Sequence, residues 1–184
     1  MSLIQTQRLS LRLLHLDDAK DVYRYASDPA VAENTSWWPH KSLEDAIVFV
    51  ESVVAKNSHD KGNLHHVWAI RLLDERQVIG TVSLVQDSEH IAHVDYALSR
   101  DYWRKGYMTE AVSAVIRWAF ENVPLLEQIH SGCLTRNTGS VQVLEKVGFE
   151  IVGRYESQRG PKFGNEVLET SEFRLLRENW EYLP

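Results

Sequence analysis

Three consecutive segments with the pattern of β-strands constrain the fold of this chain more than any other feature. They span residues 66–73, 78–85 and 91–98, and the short turns at 74–76 and 86–88 separate them. Parallel strands need a crossover connection of a dozen or more residues, whereas antiparallel strands can be joined by a tight turn. The three segments therefore predict an antiparallel meander.

Helical and strand-like segments flank this meander on both sides. In chain order, the patterns predict a strand at 7–14, helices at 17–25 and 43–56, the meander, a helix from Gly106 to about 123, a strand at 127–135, a helix at 137–147 and strands at 149–156 and 166–176. The order β-α-α-β-β-β-α-β-α-β-β predicts an α+β fold, with a mixed, mostly antiparallel sheet of about seven strands flanked by about four helices. No linker or repeat interrupts the pattern, so residues 1–184 are expected to form a single domain.

The composition excludes several functional classes. The 20 Lys and Arg residues against 26 Asp and Glu residues give a net charge of −6, whereas a general nucleic-acid or anionic-membrane binder shows a basic face. The single cysteine, Cys133, excludes a disulfide framework. No apolar run reaches the ~18 residues of a membrane-spanning helix, and the first ten residues lack the apolar core of a signal peptide. A soluble cytoplasmic protein is therefore expected.

We expect no metal site. The histidines that are close in sequence form two pairs, His65 with His66 and His90 with His93. Neither pair has a cysteine or carboxylate nearby at the spacing of a zinc ligand.

A glycine-containing turn between the meander and the long helix predicts an anion-binding site. The turn runs from Ser99 to Gly106, and the helix that follows presents backbone N–H groups without a partner inside the helix. Arg104 and Lys105 add positive charge on an otherwise acidic chain. A strand, a turn with glycine and a helix also form a common structural unit, so the turn alone leaves a phosphate site and a purely structural role open.

A second helix begins with a cap and a hydroxyl group. Asn137 is expected to cap the helix, Ser140 lies in its first turn, and Gly148 stands where a left-handed C-cap is expected. These residues suit an ordinary helix. A hydroxyl at a helix N-terminus can also donate a proton to a leaving group held nearby.

Together the two segments form a recognisable combination of motifs: Tyr96-x-Leu98, then Tyr102-Trp103-x-Lys105-Gly106-Tyr107-Met108-Thr109-Glu110-Ala111, then Asn137-x-x-Ser140-x-x-x-Leu144-x-Lys146-x-Gly148-Phe149. This combination resembles the GCN5-related N-acetyltransferase (GNAT) superfamily, and in particular its branch of RimJ/RimL-type acetyltransferases of ribosomal-protein N-termini. The opening Thr6-x-Arg8-Leu9-x-Leu11-Arg12 and the ending Leu175-Leu176-Arg177-x-x-Trp180 fit the same branch. The resemblance implies the GNAT fold, in which two splayed strands form a notch for acetyl-CoA.

The resemblance also implies which residues bind acetyl-CoA. Backbone at the end of the third meander strand would pair with the pantetheine arm, backbone of the turn would hold the pyrophosphate, and Asn137 would contact the cofactor. The implied residues are Ala97, Leu98 and Ser99 for the arm, and Arg104, Lys105, Gly106, Tyr107, Met108 and Thr109 for the pyrophosphate. The superfamily motif is Gln/Arg-x-x-Gly-x-Gly/Ala, and this chain has Trp103 at its first position and Met108 at its last.

Catalytic roles follow from the same resemblance. Many superfamily members use a tyrosine as the acid at the position of Leu144, so the acid role falls to Ser140, where RimL-like enzymes have a serine. The RimL-like base position is Arg159 here, which leaves Glu156, three residues earlier, and Asp95 as the nearest carboxylates. For either carboxylate, a surface or salt-bridge role stays open.

The acceptor side is implied by a loop before the second helix. Trp37 and Trp38 lie in this loop, which borders the acceptor in the family, and Asp95 is the third residue expected there. Two adjacent tryptophans can stack on a substrate, or they can close the edge of the core.

The expected activity is acetyl-CoA-dependent transfer of an acetyl group to a primary amine, by direct attack in a ternary complex. Because no strong base is evident, an N-terminal α-amine, of a ribosomal or another protein, suits the site better than a lysine side chain. A small amine such as a polyamine, aminoglycoside or metabolite remains an alternative acceptor. A non-catalytic acyl-CoA-binding sensor of the same fold is the other alternative, and the chain is expected to be a monomer or a homodimer.

Overall fold

The protein forms one mixed sheet with helices on both faces. The computed structural model describes residues 3–57, 64–158 and 161–180. Within these ranges the strands are β1 (Ile4–Gln5), β2 (Leu9–Leu13), β3 (His65–Leu72), β4 (Gly80–Gln86), β5 (Ile91–Leu98), β6 (Gln128–Leu134), β7 (Glu150–Gln158) and β8 (Val167–Leu176), and the helices are α1 (Ala19–Ala26), α2 (Pro29–Ala32), α3 (Leu43–Lys56), α4 (Tyr107–Asn122), α5 (Thr138–Val147) and α6 (Arg177–Trp180). The sheet order is β1-β2-β3-β4-β5-β6-β8-β7, and only β5 and β6 pair in parallel. The predicted α+β class with a mostly antiparallel sheet is confirmed.

Short elements account for the difference between the predicted and observed numbers of elements. Within the described residues there are eight strands and six α-helices, against about seven and about four predicted. The strand β1 has two residues, and α2 and α6 have four each. Such segments are too short for a period of 2 or 3.6 residues to be visible in the sequence.

The predicted meander is formed by β3, β4 and β5. Their antiparallel pairing is continuous, and it brings Gly80 of β4 opposite both Ile70 of β3 and Leu98 of β5. Successive side chains alternate between the two faces of the sheet. Trp68 is fully buried in the cluster that contains α4 and α5, whereas its neighbour Ala69 is buried in the cluster that contains α1 and α3. The meander is therefore covered on both faces.

The sheet opens between β5 and β6. These strands pair only from Ile91–His93 to Gln128–His130, although β5 continues to Leu98 and β6 to Leu134. Beyond the paired part, the strands separate and leave an edge of β5 open within the sheet. We call this opening the notch. It corresponds to the splayed strands that the resemblance implies.

Among the described residues, no helix is both long and apolar enough to cross a bilayer. The longest of them, α4, has 16 residues, whereas a membrane span needs about 20 predominantly apolar ones.

Candidate active site

The turn that precedes α4 has the backbone geometry of an anion site. Gly106, with φ of 78°, is the N-cap of α4, and no side chain caps the helix there. The first hydrogen bond of the helix joins the Glu110 N–H to the Gly106 carbonyl. The amides of residues 107–109 therefore lack a partner within the helix. Three such amides at the positive end of a helix dipole favour a phosphate group.

A hydrogen-bonded ion pair holds this turn against the segment that enters β2. Arg8 Nη2 lies 2.6 Å from Glu110 Oε2, and Arg8 Nη1–H donates to the Lys105 carbonyl at 2.9 Å. The Thr6 hydroxyl donates to the other Glu110 oxygen at 2.6 Å. Burial alone would raise the pKa of Glu110, but the hydrogen bonds from Thr6 and Arg8 outweigh burial and lower the pKa below its ordinary value. We call Thr6, Arg8, Lys105 and Glu110 the Glu110 clamp.

The side chains of the turn are compatible with a bound anion. Arg104 and Lys105 are exposed, and Lys105 Nζ lies 5.4 Å from the centroid of the Tyr102 ring. Met108, whose bulk departs from the superfamily motif, is only 6% exposed and packs in the core cluster. Its side chain therefore points inward, while its amide remains at the helix N-terminus.

The open edge of β5 can be located from one side-chain contact. Ser131 Oγ–H donates to the Val94 carbonyl at 2.9 Å, so the backbone of Val94 faces β6. Backbone groups of successive strand residues point to alternate edges. Tyr96 and Leu98 consequently have their N–H and C=O groups on the edge that lines the notch.

The three residues expected to pair with the pantetheine arm differ in their backbone geometry. By the same alternation, Ala97 faces β4. The Ser99 N–H donates to the Ile79 carbonyl at 2.8 Å. The Leu98 carbonyl accepts a hydrogen bond from Trp103 Nε1–H at 2.8 Å, which ties the turn to the strand end. Of the three, Leu98 therefore presents its N–H to the notch.

Ser140 and Tyr96 meet on the α5 side of the notch. Asn137 caps α5 as predicted, because its Oδ1 accepts from the Ser140 N–H at 3.2 Å. The Tyr96 hydroxyl lies 2.8 Å from Ser140 Oγ and 3.1 Å from the Ser140 carbonyl oxygen. Burial raises the pKa of Tyr96 above its ordinary value and outweighs the opposing effect of the Ser140 hydrogen bond. Tyr96 is therefore a neutral phenol near pH 7, able to donate a hydrogen bond to Ser140.

Residues 8–150, which are most of the chain, match the family model described as "Acetyltransferase (GNAT) domain". This chain belongs to the GNAT acetyltransferase family. Two curated relatives are similar to the acetyltransferase at the level of sequence. The uncharacterized N-acetyltransferase p20 of Bacillus licheniformis is 26% identical over 185 residues, which cover 98% of this chain and 99% of the relative. The ribosomal protein uS5-alanine N-acetyltransferase of Escherichia coli is 29% identical over 83 residues, which cover 44% of this chain and 42% of that enzyme.

Solved structures confirm the GNAT fold of the acetyltransferase. The GNAT-family acetyltransferase of Bacillus anthracis superposes with a TM-score of 0.81 at 25% identity, covering 96% of this chain and 99% of that one. The spermidine N-acetyltransferase of Vibrio cholerae, solved with CoA and spermine, superposes with a TM-score of 0.78 at 16% identity, covering 96% and 99%. The family and the N-acetyltransferase names of the relatives identify the chain as an N-acetyltransferase.

Neither candidate carboxylate of the acetyltransferase hydrogen-bonds the Ser140 hydroxyl. Asp95 neighbours Tyr96 on β5 and therefore points to the opposite face of the sheet, where its Oδ2 lies 3.7 Å from His93 Nε2. Glu156 is exposed on β7, and its cross-strand partner on β8 is Glu169. Within the described residues, no carboxylate hydrogen-bonds Ser140 or Tyr96. Arg159, at the base position of the RimL-like pattern, lies outside the described residues.

The two tryptophans of the acceptor loop have different environments in the acetyltransferase. Trp37 packs against the cluster of α1 and α3, and its ring centroid lies 5.9 Å from that of His40. Trp38 is 58% exposed. Trp37 therefore closes the edge of the core, whereas the ring of Trp38 is exposed and available to a substrate.

Two cations that the sequence patterns did not indicate hold the segment before Trp37 and Trp38 in the acetyltransferase. Arg136, directly before the α5 cap, donates from Nε to Asn34 Oδ1 at 3.1 Å. Lys162 donates to the carbonyls of Ala32 and Thr35. Each contact spans more than 100 residues of sequence, so no local pattern could indicate it.

Tyr96 is the other residue whose role the sequence analysis missed, although it stands in the quoted motif. Its signal is the alternation of β5, in which Tyr96 shares a face with Val94 and Leu98. A tyrosine in a core-facing register needs a partner for its hydroxyl, and Ser140 is that partner.

Proposed function

We propose that this N-acetyltransferase uses acetyl-CoA to acetylate N-terminal α-amines, by direct attack in a ternary complex. The observation that carries the proposal is the Ser140–Tyr96 hydroxyl pair on the α5 side of the notch. The same fold provides an open strand edge on β5 and, at the start of α4, amides that lack a partner within the helix. A thioester transfer needs these three parts: a group to orient the acyl carrier, an electrophilic contact for the carbonyl and a proton donor for the leaving sulfur.

The residues of the notch suit acetyl-CoA. The amides of residues 107–109, with Arg104 and Lys105, match a pyrophosphate in charge and in hydrogen-bonding capacity. The edge of β5 offers backbone donors and acceptors to an amide-containing arm. When bound there, acetyl-CoA supplies an acetyl group activated as a thioester.

Each step of the transfer has a candidate residue. The Leu98 N–H would donate to the thioester oxygen as negative charge develops on it. Formation of the C–N bond and cleavage of the C–S bond leave a thiolate, which Ser140 would protonate from Oγ. Tyr96 would hold Ser140 in place through its hydroxyl, which donates to the Ser140 carbonyl oxygen at 3.1 Å and lies 2.8 Å from Ser140 Oγ. The proton lost by the amine passes to water, and water returns a proton to the Ser140 oxygen, so that the serine is regenerated and the protons balance.

In the part of the chain that the structure describes, no carboxylate hydrogen-bonds Ser140, and this supports an α-amine acceptor. The attacking amine must be neutral, and an α-amine with a pKa of about 7.7–8.0 is already about a tenth to a fifth neutral near pH 7. A lysine amine, with a pKa of about 10.4, is neutral to only a few hundredths of a percent. A site without a strong base therefore favours the α-amine. The similarity to the uS5-alanine N-acetyltransferase of Escherichia coli supports the same acceptor class.

A polyamine is the second candidate acceptor, and one observation favours it. Glu156 and Glu169 lie opposite each other on β7 and β8, which places two carboxylates side by side on an exposed surface. Paired carboxylates attract a polycation. The fold shared with the spermidine N-acetyltransferase of Vibrio cholerae supports this candidate at the level of fold alone.

The test is to incubate the protein with acetyl-CoA and a panel of amines, and to detect products by the mass of one added acetyl group. The panel contains peptides with free N-termini, N-blocked lysine peptides, polyamines and aminoglycosides. Faster turnover of the free N-termini is expected. A preference for polyamines would establish the second candidate, and acetyl-CoA binding without any product would support a sensor.

A further inference from the structure

Two histidines from different strands lie side by side below the notch. His93 of β5 and His130 of β6 are direct partners in the short parallel pairing of these strands, and their ring centroids are 5.6 Å apart. Side chains alternate between the two faces along a strand, and His93 and Tyr96 are three residues apart on β5, so they point to opposite faces. His130, as the direct partner of His93, lies on the same face as His93. The pair is therefore separate from the hydroxyl pair of the notch.

A carboxylate from a third element joins these histidines. Asp87 follows β4, and its N–H donates to the Ile91 carbonyl at 2.9 Å, which fixes the turn. Asp87 Oδ1 lies 2.7 Å from His93 Nδ1, and Asp87 Oδ2 lies 2.7 Å from His130 Nε2. One ligand atom from each residue falls within 4.8 Å of the others. The backbone thus brings two imidazoles and one carboxylate together without a ligand.

This donor set has the chemistry of a zinc site with an open coordination position. Zn²⁺ binds imidazole nitrogen and carboxylate oxygen at about 2.0–2.2 Å, and three protein ligands leave a fourth position for water. The side chains of Asp87, His93 and His130 are 39%, 31% and 44% exposed, so an ion and its water can reach them. Small side-chain rotations would direct the nitrogen lone pairs to a common point, in place of the hydrogen bonds to Asp87.

The second nitrogen of His93 strengthens this assignment. Metal-bound histidines usually direct their other ring N–H toward a carboxylate, which fixes the tautomer. His93 Nε2 lies 3.7 Å from Asp95 Oδ2. Coordination through His93 Nδ1 leaves the proton on Nε2, on the side where Asp95 lies.

We propose that Asp87, His93 and His130 bind one Zn²⁺ ion, which links the β4–β5 turn to both strands at the base of the notch. Histidines that are neighbours along the chain, such as His90 and His93, do not reveal this site. These ligands come from a turn and two strands, and they meet only through the parallel pairing of β5 with β6. The ion would hold β5 to β6 at His93, which is three residues before Tyr96.

The first experiment is calorimetric titration of the untagged, chelator-treated protein with Zn²⁺. One ion per chain is expected for the wild type. His93→Gln and His130→Gln should each weaken binding more than about tenfold, because each removes a ligand. Asp95→Asn should weaken it by about 10–100-fold, the usual effect of an outer-shell carboxylate.

The matched control is His90→Gln, which removes a neighbouring histidine that lies beside Glu89 and Glu127. This variant should bind Zn²⁺ like the wild type. Thermal unfolding in the presence of chelator confirms that each variant is folded. Added Zn²⁺ should raise the unfolding temperature of the wild type and of His90→Gln by the same amount, and that of the other variants by less. The proposal is overturned if the wild type binds no stoichiometric ion, or if His93→Gln and His130→Gln bind as well as His90→Gln does.

Discussion

At the scale of single residues, Ser140 owes its position to two contacts from different elements. Asn137 fixes its backbone N–H as the cap of α5, and Tyr96 of β5 holds its hydroxyl. Leu144, at the position where many family members have a tyrosine, is fully buried and contributes to the core. The phenol in this site therefore comes from a strand, and it contacts the serine rather than replacing it.

Removing the serine hydroxyl should slow the reaction and leave acetyl-CoA binding nearly unchanged. We expect Ser140→Ala to lower kcat by about a hundredfold, since general acid catalysis contributes about 10²–10⁴. Initial rates and a calorimetric Kd for acetyl-CoA measure both quantities. Ser52→Ala, at an exposed serine that bonds its own helix in α3, is the matched control and should retain full activity. An unaltered kcat in Ser140→Ala would remove the acid role.

Tyr96→Phe tests the positioning of Ser140 without changing the ring. We expect a smaller loss than for Ser140→Ala, because the serine remains but is no longer held. In a double-mutant cycle, the two losses should not add, since Tyr96 acts through Ser140. Additive losses would show that the tyrosine acts on its own, and the role assigned to it here would be wrong.

At the scale of elements, the Glu110 clamp joins the start of the sheet to the start of α4. Glu110 is in the first turn of the helix, where a negative charge is favoured by the dipole. Its partners Thr6 and Arg8 precede β2, and Arg8 also reaches the Lys105 carbonyl. Gly106 has a φ of 78°, a conformation that other residues rarely adopt, and a Cβ there would lie 3.3 Å from Arg8 Nη2.

The clamp predicts a pH-dependent part of the stability. Because the pKa of Glu110 is lowered in the folded protein, its contribution is present above the ordinary value of 4.5 and is lost as the pH falls through the lower, folded-state pKa. Glu110→Gln should lower the free energy of unfolding by about 1.5–3 kcal/mol at pH 7, and the difference from the wild type should shrink below pH 4.5. Denaturant unfolding across this range measures it. Glu121→Gln, at an exposed site on the same helix, should show no such trend.

At the scale of the whole molecule, the sequence predicted the parts of the fold that local patterns determine. The meander follows from three short segments with the alternating pattern of strands. The helices α3, α4 and α5 follow from helical spacing, and Asn137 was also predicted to cap α5. The turn before α4, which we propose binds an anion, is also a local feature.

Contacts between distant segments could not be predicted in this way. Tyr96 and Ser140 are 44 residues apart, and the length of the β5–β6 pairing depends on how both strands twist over the core. The resemblance supplied the splayed strands and Ser140, but not the partner of the serine. Asp87 and His130 were not considered as a pair because 43 residues separate them.

The preference for an α-amine should depend on pH in a defined way. The neutral fraction of an α-amine saturates above pH of about 8, whereas that of a lysine amine grows about tenfold per unit up to about 10.4. The ratio of kcat/KM for a free N-terminal peptide to that for an N-blocked lysine peptide should therefore fall as the pH rises from 7 to 9. A lysine peptide that reacts faster at pH 7 would contradict the proposed acceptor class.

If the turn before α4 binds a phosphate group as proposed, the Glu110 clamp also couples the first strands to ligand binding at that turn. Arg8 holds the same turn whose amides would bind the pyrophosphate, so a ligand that orders the turn also favours the docked form of the N-terminal segment. Because the ligand binds the docked form, a higher ligand concentration shifts the equilibrium away from the form in which the N-terminal segment is detached. Cleavage by a protease near Thr6 to Arg12 should slow in the presence of CoA, and Arg8→Ala should abolish this protection. The rate of proteolysis near the start of the chain therefore reports ligand binding at the N-terminus of α4.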